Sequence, residues 1–192
     1  MKVRDSGMPE RDYWESLLDV QGILDALHID KRLNSVVEVG CGYGTFTKPV
    51  AQRIGGTLHA FDIEQSMIDA TSARLREARI QNVQLVLRDV IADGFDLGRA
   101  TIDAVLLFNI LHAENPVELL RASANLLTAN GRIHVIHWRS DVVTPRGPDL
   151  AIRPRPEQVA WWAEQTGLLR EPDPPVVLPP WHFGMSFTRT RF

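Results

Sequence analysis

Apolar residues recur first at helical spacing and then in short blocks. Over residues 10–28, Trp14, Leu17, Leu18, Val20, Ile23, Leu24 and Leu27 follow a period near 3.6, which predicts a leading helix closed by a turn at Asp30-Lys31-Arg32. From residue 35 short β-branched runs alternate with longer amphipathic stretches. The runs at 35–39, 57–61, 83–87, 102–108 and 132–138 read as strands, and 44–54, 65–78 and 116–127 as helices. Strands separated by helices of this length imply βαβ units, a parallel sheet and right-handed crossovers. The 102–108 run, IDAVLLF, is almost wholly apolar, as expected of a strand covered on both faces.

Past residue 139 the texture shifts, because nine of the twelve prolines lie in 141–192. A loop is predicted over 141–154, and a helix over 156–167 stopped by Gly167. Two last strands, 176–178 and 183–191, are joined sharply through Pro179-Pro180. The pair Trp161-Trp162 reads as packing of that helix on the sheet.

Composition narrows the class without naming an activity. The 192 residues are 44% hydrophobic and 23% charged, with a formal net charge of -3. This describes an ordinary globular chain, and one domain is expected at this length. So small a charge gives no field to attract nucleic acid or anionic lipid. Charge at Arg4, Asp5, Glu10, Arg11 and Asp12 argues against a signal peptide, and no apolar run approaches the ~20 residues of a membrane span. The single cysteine, Cys41, excludes a disulfide framework and a cysteine-rich zinc site, and the six histidines form no H-E-x-x-H pair. A cytoplasmic enzyme or binding protein is expected, monomeric or homodimeric, with no nucleic-acid, membrane or metal partner.

The informative segment is Val36-Val37-Glu38-Val39-Gly40-Cys41-Gly42-Tyr43-Gly44-Thr45-Phe46, a strand running into three glycines and then a helix. Glycines there allow a tight turn, close approach of a ligand to the main chain, and placement of that ligand at a helix start. Asp62 ends the second strand 18 residues after Gly44, where a carboxylate can accept from both ribose hydroxyls. A ligand containing adenosine is implied. The dinucleotide fingerprint G-x-G-x-x-G would need glycine at 45, which is Thr45, and no G-K-[ST] follows. Glu38 beside the turn would repel a pyrophosphate but suits an amino group or a sulfonium. Plainer readings stand beside these: Asp62 as an N-cap of the next helix, Asp89 as a turn residue, and Glu38 as the partner of a basic neighbour.

On these residues the chain resembles the class I S-adenosylmethionine-dependent methyltransferases, well over 34–140 and loosely elsewhere. Glu38, Gly40, Cys41, Gly42 and Gly44 are similar to the first motif, which holds the methionine part of the cofactor. Asp62 matches the acidic residue that holds the ribose, with Ile63 on adenine. Arg88-Asp89-Val90 resembles the third motif, whose Asp89 would accept from the adenine amino group. Phe108-Asn109-Ile110-Leu111-His112 resembles the fourth, beside the transferable methyl. Leu127-Thr128-Ala129-Asn130-Gly131-Arg132-Ile133 is similar to the turn into the fifth strand, with Ala129-Asn130 in place of the usual Pro-Gly.

The resemblance implies a Rossmann-like α/β three-layer sandwich with a mostly parallel seven-stranded sheet of order 3-2-1-4-5-7-6. It also implies S-adenosylmethionine as cofactor and methyl transfer by in-line displacement. Residues 1–32 would form a helical lid, 34–140 the cofactor core, and 141–192 a loop, helix and strand hairpin of the same domain. Ligands lie beyond the carboxyl ends of such strands, so His112 and His137 are candidates for acid/base work. Tyr13, Trp14, His112, His137, Arg139 and Trp181 are candidates for acceptor contacts. His134 and His137, three apart on one strand, should face opposite sides.

The fourth motif lacks the Pro-Pro-aromatic unit of enzymes that methylate a flipped base, and one cysteine cannot serve chemistry that needs a thiol pair. A small-molecule acceptor is therefore expected. The alternatives are a non-catalytic binding protein on the same fold and a nicotinamide-dependent oxidoreductase.

Overall fold

A computed structural model describes residues 9–170 and 174–189, with Arg170 described by its backbone only. In chain order the elements are α1 (Arg11–Ser16), α2 (Val20–Ala26), β1 (Ser35–Val39), α3 (Thr47–Arg53), β2 (Thr57–Asp62), α4 (Gln65–Glu77), β3 (Val83–Leu87) and β4 (Ile102–Phe108). They continue with α5 (Pro116–Leu126), β5 (Leu127–Trp138), a 3₁₀ turn (Leu150–Ile152), α6 (Pro156–Glu164), β6 (Leu168–Arg170), β7 (Val176–Leu178) and β8 (His182–Arg189).

The strands form one sheet of order β3-β2-β1-β4-β5-β8-β6, with β7 also paired to β8. Strands β1 to β5 run parallel, and β8 lies antiparallel to β5, Trp138 opposite His182 and Arg132 opposite Thr188. The expected α/β architecture is present with one refinement. The sixth position is filled by two short pieces on the same edge of β8: β6 against Phe187–Arg189 and β7 against His182–Gly184. The described sheet therefore has eight strands instead of seven. Strand β6 spans only Leu168–Arg170, too short for a period-2 pattern to mark.

Helices cover both faces. Val37, Val105, Leu107, Ile133 and Val135 pack with Leu119 and Leu120 of α5 and Val159 and Ala163 of α6. Val36, Leu58, Leu106 and Ile136 pack with Ile23 and Leu24 of α2 and Val50 of α3. Burial on both faces explains the unbroken apolar run of β4.

Four sequence expectations are corrected. The leading helix is broken into α1 and α2, because the Asp19 carboxylate accepts the Gly22 N–H at 3.0 Å and starts a new helix. Helix α3 begins at Thr47, not Gly44, because Gly44 sits at φ 74°, outside helical space. Strand β5 begins at Leu127, which pairs with Ile102 before the register shifts to Ala104–Arg132. Gly131 permits this irregularity, since a Cβ there would lie 2.7 Å from the Ile102 carbonyl oxygen. Of the tryptophan pair, only Trp162 packs on the core, and Trp161 is 59% exposed. No helix among the described residues is long and apolar enough to cross a membrane.

Candidate functional site

The glycine turn leaves β1 at its carboxyl end. Gly40, Gly42 and Gly44 hold φ of 79°, 52° and 74°, in the left-handed region where a side chain is strained. The turn's amides point inward. Gly40 and Cys41 both donate to the Phe61 carbonyl, at 2.8 and 3.0 Å, and Gly44 donates to the Cys41 carbonyl at 2.9 Å. Gly42 donates to Asp62 Oδ2 at 2.9 Å. A phosphate cradle needs such N–H groups free, so this turn is not one. Glycine has distinct reasons at its two ends. A Cβ on Gly44 would meet Thr71 Oγ1 at 3.0 Å, whereas one on Gly40 would point at Ile110 Cδ1, 3.6 Å away. The first is packing on α4; the second keeps clear the space between the first and fourth motifs.

Two carboxyl groups, Glu38 and Asp62, lie at this turn. Glu38 is buried beneath it, accepting from Thr47 Oγ1 at 2.7 Å, and its partner is thus a hydroxyl instead of a base. Burial pushes its carboxyl up to about 8, against the lowering effect of Thr47 and with a smaller push from Asp62. The Cys41 thiol is likewise pushed up by burial, which makes it inert packing. Asp62 accepts from Gly42 through Oδ2 and from Glu64 N–H through Oδ1 at 3.0 Å. Burial also raises its carboxyl. It is not the N-cap of α4, which is Glu64. Its role is to tie the end of β2 to the glycine turn. Next to it Ile63 is 46% exposed, an apolar side chain facing out at a strand end. Asp89 accepts from the Ile91 and Ala92 amides at 3.0 and 3.2 Å, Val90 is buried, and the Arg88 amide donates to the Asp62 carbonyl at 2.8 Å.

Beyond β4 and β5 lies a second group. Asn109 holds φ of 56°, its amide donates to the Ile136 carbonyl, and its side-chain nitrogen lies 3.2 Å from His182 Nε2. Asn109 Oδ1 and His182 Nδ1 are buried without a hydrogen-bond partner. His112, half-buried, places Nδ1 3.3 Å from Nε2 of the fully buried His137. Burial lowers His112 and holds His137 and His182 down at about 3, so both buried rings are neutral. His134 faces the other way, bonded to Ser186 Oγ at 2.9 Å.

The predicted rim residues do not form one wall. His112 and His137 meet, but Trp14 packs on Trp138, with ring centroids 6.0 Å apart. His137 and Trp138 are successive on β5, so these contacts fall on opposite faces of the sheet. Trp138 also stacks on His182, 4.2 Å between centroids, and carries the Arg153 guanidinium 5.8 Å above its ring. Arg139 is engaged by Asp141 through two bonds of 3.0 and 2.7 Å. Tyr13 is 44% exposed, and Trp181 contributes its carbonyl to the Arg139 amide. Trp138 and His182 stand at the strand ends where their sequence positions put them, but their contact with each other and with Arg153 comes from the antiparallel register of β8 and the loop after β5.

Helix α1 lies over the glycine turn. Glu15 pairs with Arg74 of α4 and accepts from Thr45 Oγ1 at 3.3 Å, while Tyr43 donates to the Pro9 carbonyl at 3.0 Å.

The donor set fits S-adenosylmethionine. Carboxyl groups end β1 and β2 and follow β3, supplying oxygen acceptors for amino and hydroxyl groups. Inward-turned amides and φ-positive glycines leave open main chain but no anion cradle. Among the described residues no group of three or more His, Cys, Asp or Glu side chains is placed to hold a metal ion.

A mostly parallel sheet with a glycine turn after its first strand and acidic residues at the ends of the next strands defines a nucleoside-binding α/β protein. Residues 37–133 match the family described as "Methyltransferase domain", and the chain belongs to it. It is 29% identical over 101 residues to aklanonic acid methyltransferase DauC of Streptomyces sp. (strain C5), and 32% identical over 100 residues to nocamycin O-methyltransferase of Saccharothrix syringae. Each match takes 51% of this chain but only 45% and 35% of those proteins, so the chain spans less than half of the curated relatives it matches. The fold is shared with a SAM-dependent methyltransferase from Aquifex aeolicus, at a TM-score of 0.82 and 17% identity over 94% of both chains. Family and fold agree with S-adenosylmethionine as cofactor.

Proposed function

We propose that the chain transfers the methyl group of S-adenosylmethionine to an oxygen of a small hydroxyl-bearing acceptor. The observation that carries this is the pair Glu38 and Asp62 at an inward-turned glycine loop, with Asp89 after β3 and a half-buried imidazole, His112, after β4. Asp62 would accept from the ribose hydroxyls, Ile63 and Val90 would flank adenine, and Asp89 would accept from its amino group. Glu38, Gly40, Cys41, Gly42 and Gly44 would bound the methionine part, with Arg88 holding the third-motif turn, and Asn109 and Ile110 would lie beside the methyl. When bound, the cofactor supplies an electrophilic methyl on a sulfonium.

His112 is the general base of this reading. It is half-buried and neutral at physiological pH, as a group must be to accept a hydroxyl proton while methyl transfer proceeds. His137, fully buried, cannot touch an acceptor. Trp14, with Tyr13 and Trp181, would reach an acceptor only from the Trp138 face of the sheet, opposite to His112. Arg139, engaged by Asp141, is the weakest of the proposed acceptor contacts. Oxygen as the acceptor atom is supported by the name of the nocamycin relative. The test is calorimetric titration with S-adenosylhomocysteine, followed by mass spectrometry of a library of phenols, enols and carboxylic acids. Binding with a product heavier by one methylene supports the reading; NADH binding in place of S-adenosylhomocysteine overturns it.

A further inference from the structure

We propose that His137 is a positioning residue that fixes His112 in the tautomer whose Nε2 keeps a free lone pair. The argument starts at a backbone carbonyl. His137 Nδ1 lies 3.2 Å from the Trp138 carbonyl oxygen, which can only accept. His137 therefore carries its proton on Nδ1, and because a neutral imidazole has one N–H, its Nε2 is an acceptor. Facing that Nε2 at 3.3 Å is Nδ1 of His112, which must be the donor. One proton remains for His112, and it is used there. Its Nε2 is left with the lone pair, on the less buried of the two rings.

The arrangement has the form of a base oriented by a third group, but the orienter is a neutral imidazole anchored to the main chain of its own strand. Geometry supports the chain of donors: the rings are 5.4 Å apart between centroids and inclined at 76°, so the His112 N–H can point at the edge nitrogen of His137. His137 cannot swing away, since it is fully buried, with Phe183 on the paired strand at 6.4 Å between ring centroids. Its burial also keeps it neutral when His112 takes up a proton, so His112 can hold a second proton on Nε2 without breaking its bond to His137. The balance is simple. The acceptor oxygen loses its proton to His112 Nε2 as it gains the methyl, and no proton passes to His137.

This inference rests on the reading of His112 as the base, and its test is separable from that reading. In the full chain labelled with ¹⁵N-histidine, long-range ¹H–¹⁵N spectra near neutral pH read the protonated and bare nitrogens of each ring without cofactor or acceptor. His112→Asn and His137→Phe assign the signals. Both rings are expected to show protonated Nδ1 and bare Nε2. In His137→Phe, His112 should revert to the Nε2–H form that free imidazole side chains favour in water. In His137→Gln, whose amide oxygen can take the place of Nε2 as acceptor, His112 should stay as in wild type. A His112 that carries its proton on Nε2 in the wild-type chain overturns the proposal, and this measurement needs no variant to fold. If His112→Ala transfers methyl as well as wild type, the reading of the base fails instead, whatever the tautomers show.

Discussion

Asp62 accepts the backbone N–H of Gly42 at 2.9 Å, so the carboxylate proposed to hold the ribose also holds the glycine turn in shape. Its other oxygen takes the Glu64 amide. Asp62→Ala should therefore act twice. Affinity for S-adenosylhomocysteine should fall by the ~1.5–3 kcal/mol of charge-assisted bonds, roughly 10- to 150-fold. The cofactor-free chain should also melt lower, because two amides lose their acceptor at about 1–3 kcal/mol each where buried. Calorimetry and a thermal melt check both; unchanged affinity with a lowered melting temperature would reduce Asp62 to a structural tie.

Stability should peak near pH 6.5, from two opposed groups of side chains. Glu38 has a folded pKa of about 8 against 4.5 ordinarily, so the folded chain binds more protons between those values and stability falls as pH rises through that window. His134, His137 and His182 are held at about 3 against 6.5, so below 6.5 the unfolded chain binds more protons and stability falls as pH drops. Between 4.5 and 6.5 three histidines outweigh one carboxyl; above 6.5 Glu38 acts against no histidine. Thermal melts from pH 5 to 9 should show the maximum, and Glu38→Gln should flatten the descending side. An unaltered descent in Glu38→Gln would mean that Glu38 is already ionised in the folded chain.

Much of this was legible because it is local. The strand-glycine-helix sequence, the carboxylate at the end of the next strand and the alternation of elements are all read within a few residues, and the structure reproduces them. Three things hid the rest. Apolar periodicity runs through 10–28 without interruption, so the break at Leu17–Asp19 shows only in the capping residue Asp19, three before Gly22. Contacts such as Trp138 with His182 or Asn109 with His182 depend on the register of β8 against β5, set by residues more than forty apart in sequence. Side-chain direction was the third blind spot: His137 and Trp138 are neighbours in sequence, yet alternation sends one toward His112 and the other toward Trp14.

The cover over the glycine turn is held by few contacts and should open readily. Helix α1 has six residues and buries none of them, and its ties among the described residues are Glu15 with Arg74 and Thr45, Tyr43 with Pro9, and Trp14 on Trp138. Glu15→Ala should cost about 1 kcal/mol or less in global stability, the range of a partly exposed pair. It should speed amide hydrogen exchange over residues 11–16 well beyond that over α5, since local opening and global unfolding are separate events. Equal acceleration in both helices would show that Glu15 supports the whole fold instead of the cover alone.

The rate of methyl transfer should carry the titration of His112, displaced from its usual position. An imidazole in water titrates near 6.5, but burial lowers His112, with the neutral ring of His137 as its neighbour. The form that acts as base is the unprotonated one. With any phenol or enol found to be methylated, kcat/KM should therefore rise from the acid side with a midpoint below 6.5 and level off before neutrality. Because the acceptor hydroxyl must lose its proton in the transition state, His112→Asn should lower kcat by roughly 10²- to 10⁴-fold. The acid limb should vanish with it, leaving a slower reaction governed by ionisation of the acceptor itself. Affinity for S-adenosylhomocysteine should stay within a few-fold of wild type, because His112 lies at the end of β4, away from the ribose end at Asp62. A His112→Asn enzyme that keeps the acid limb would place the titrating group elsewhere, while one that keeps both rate and limb would leave alignment of acceptor and methyl as the whole of the catalysis.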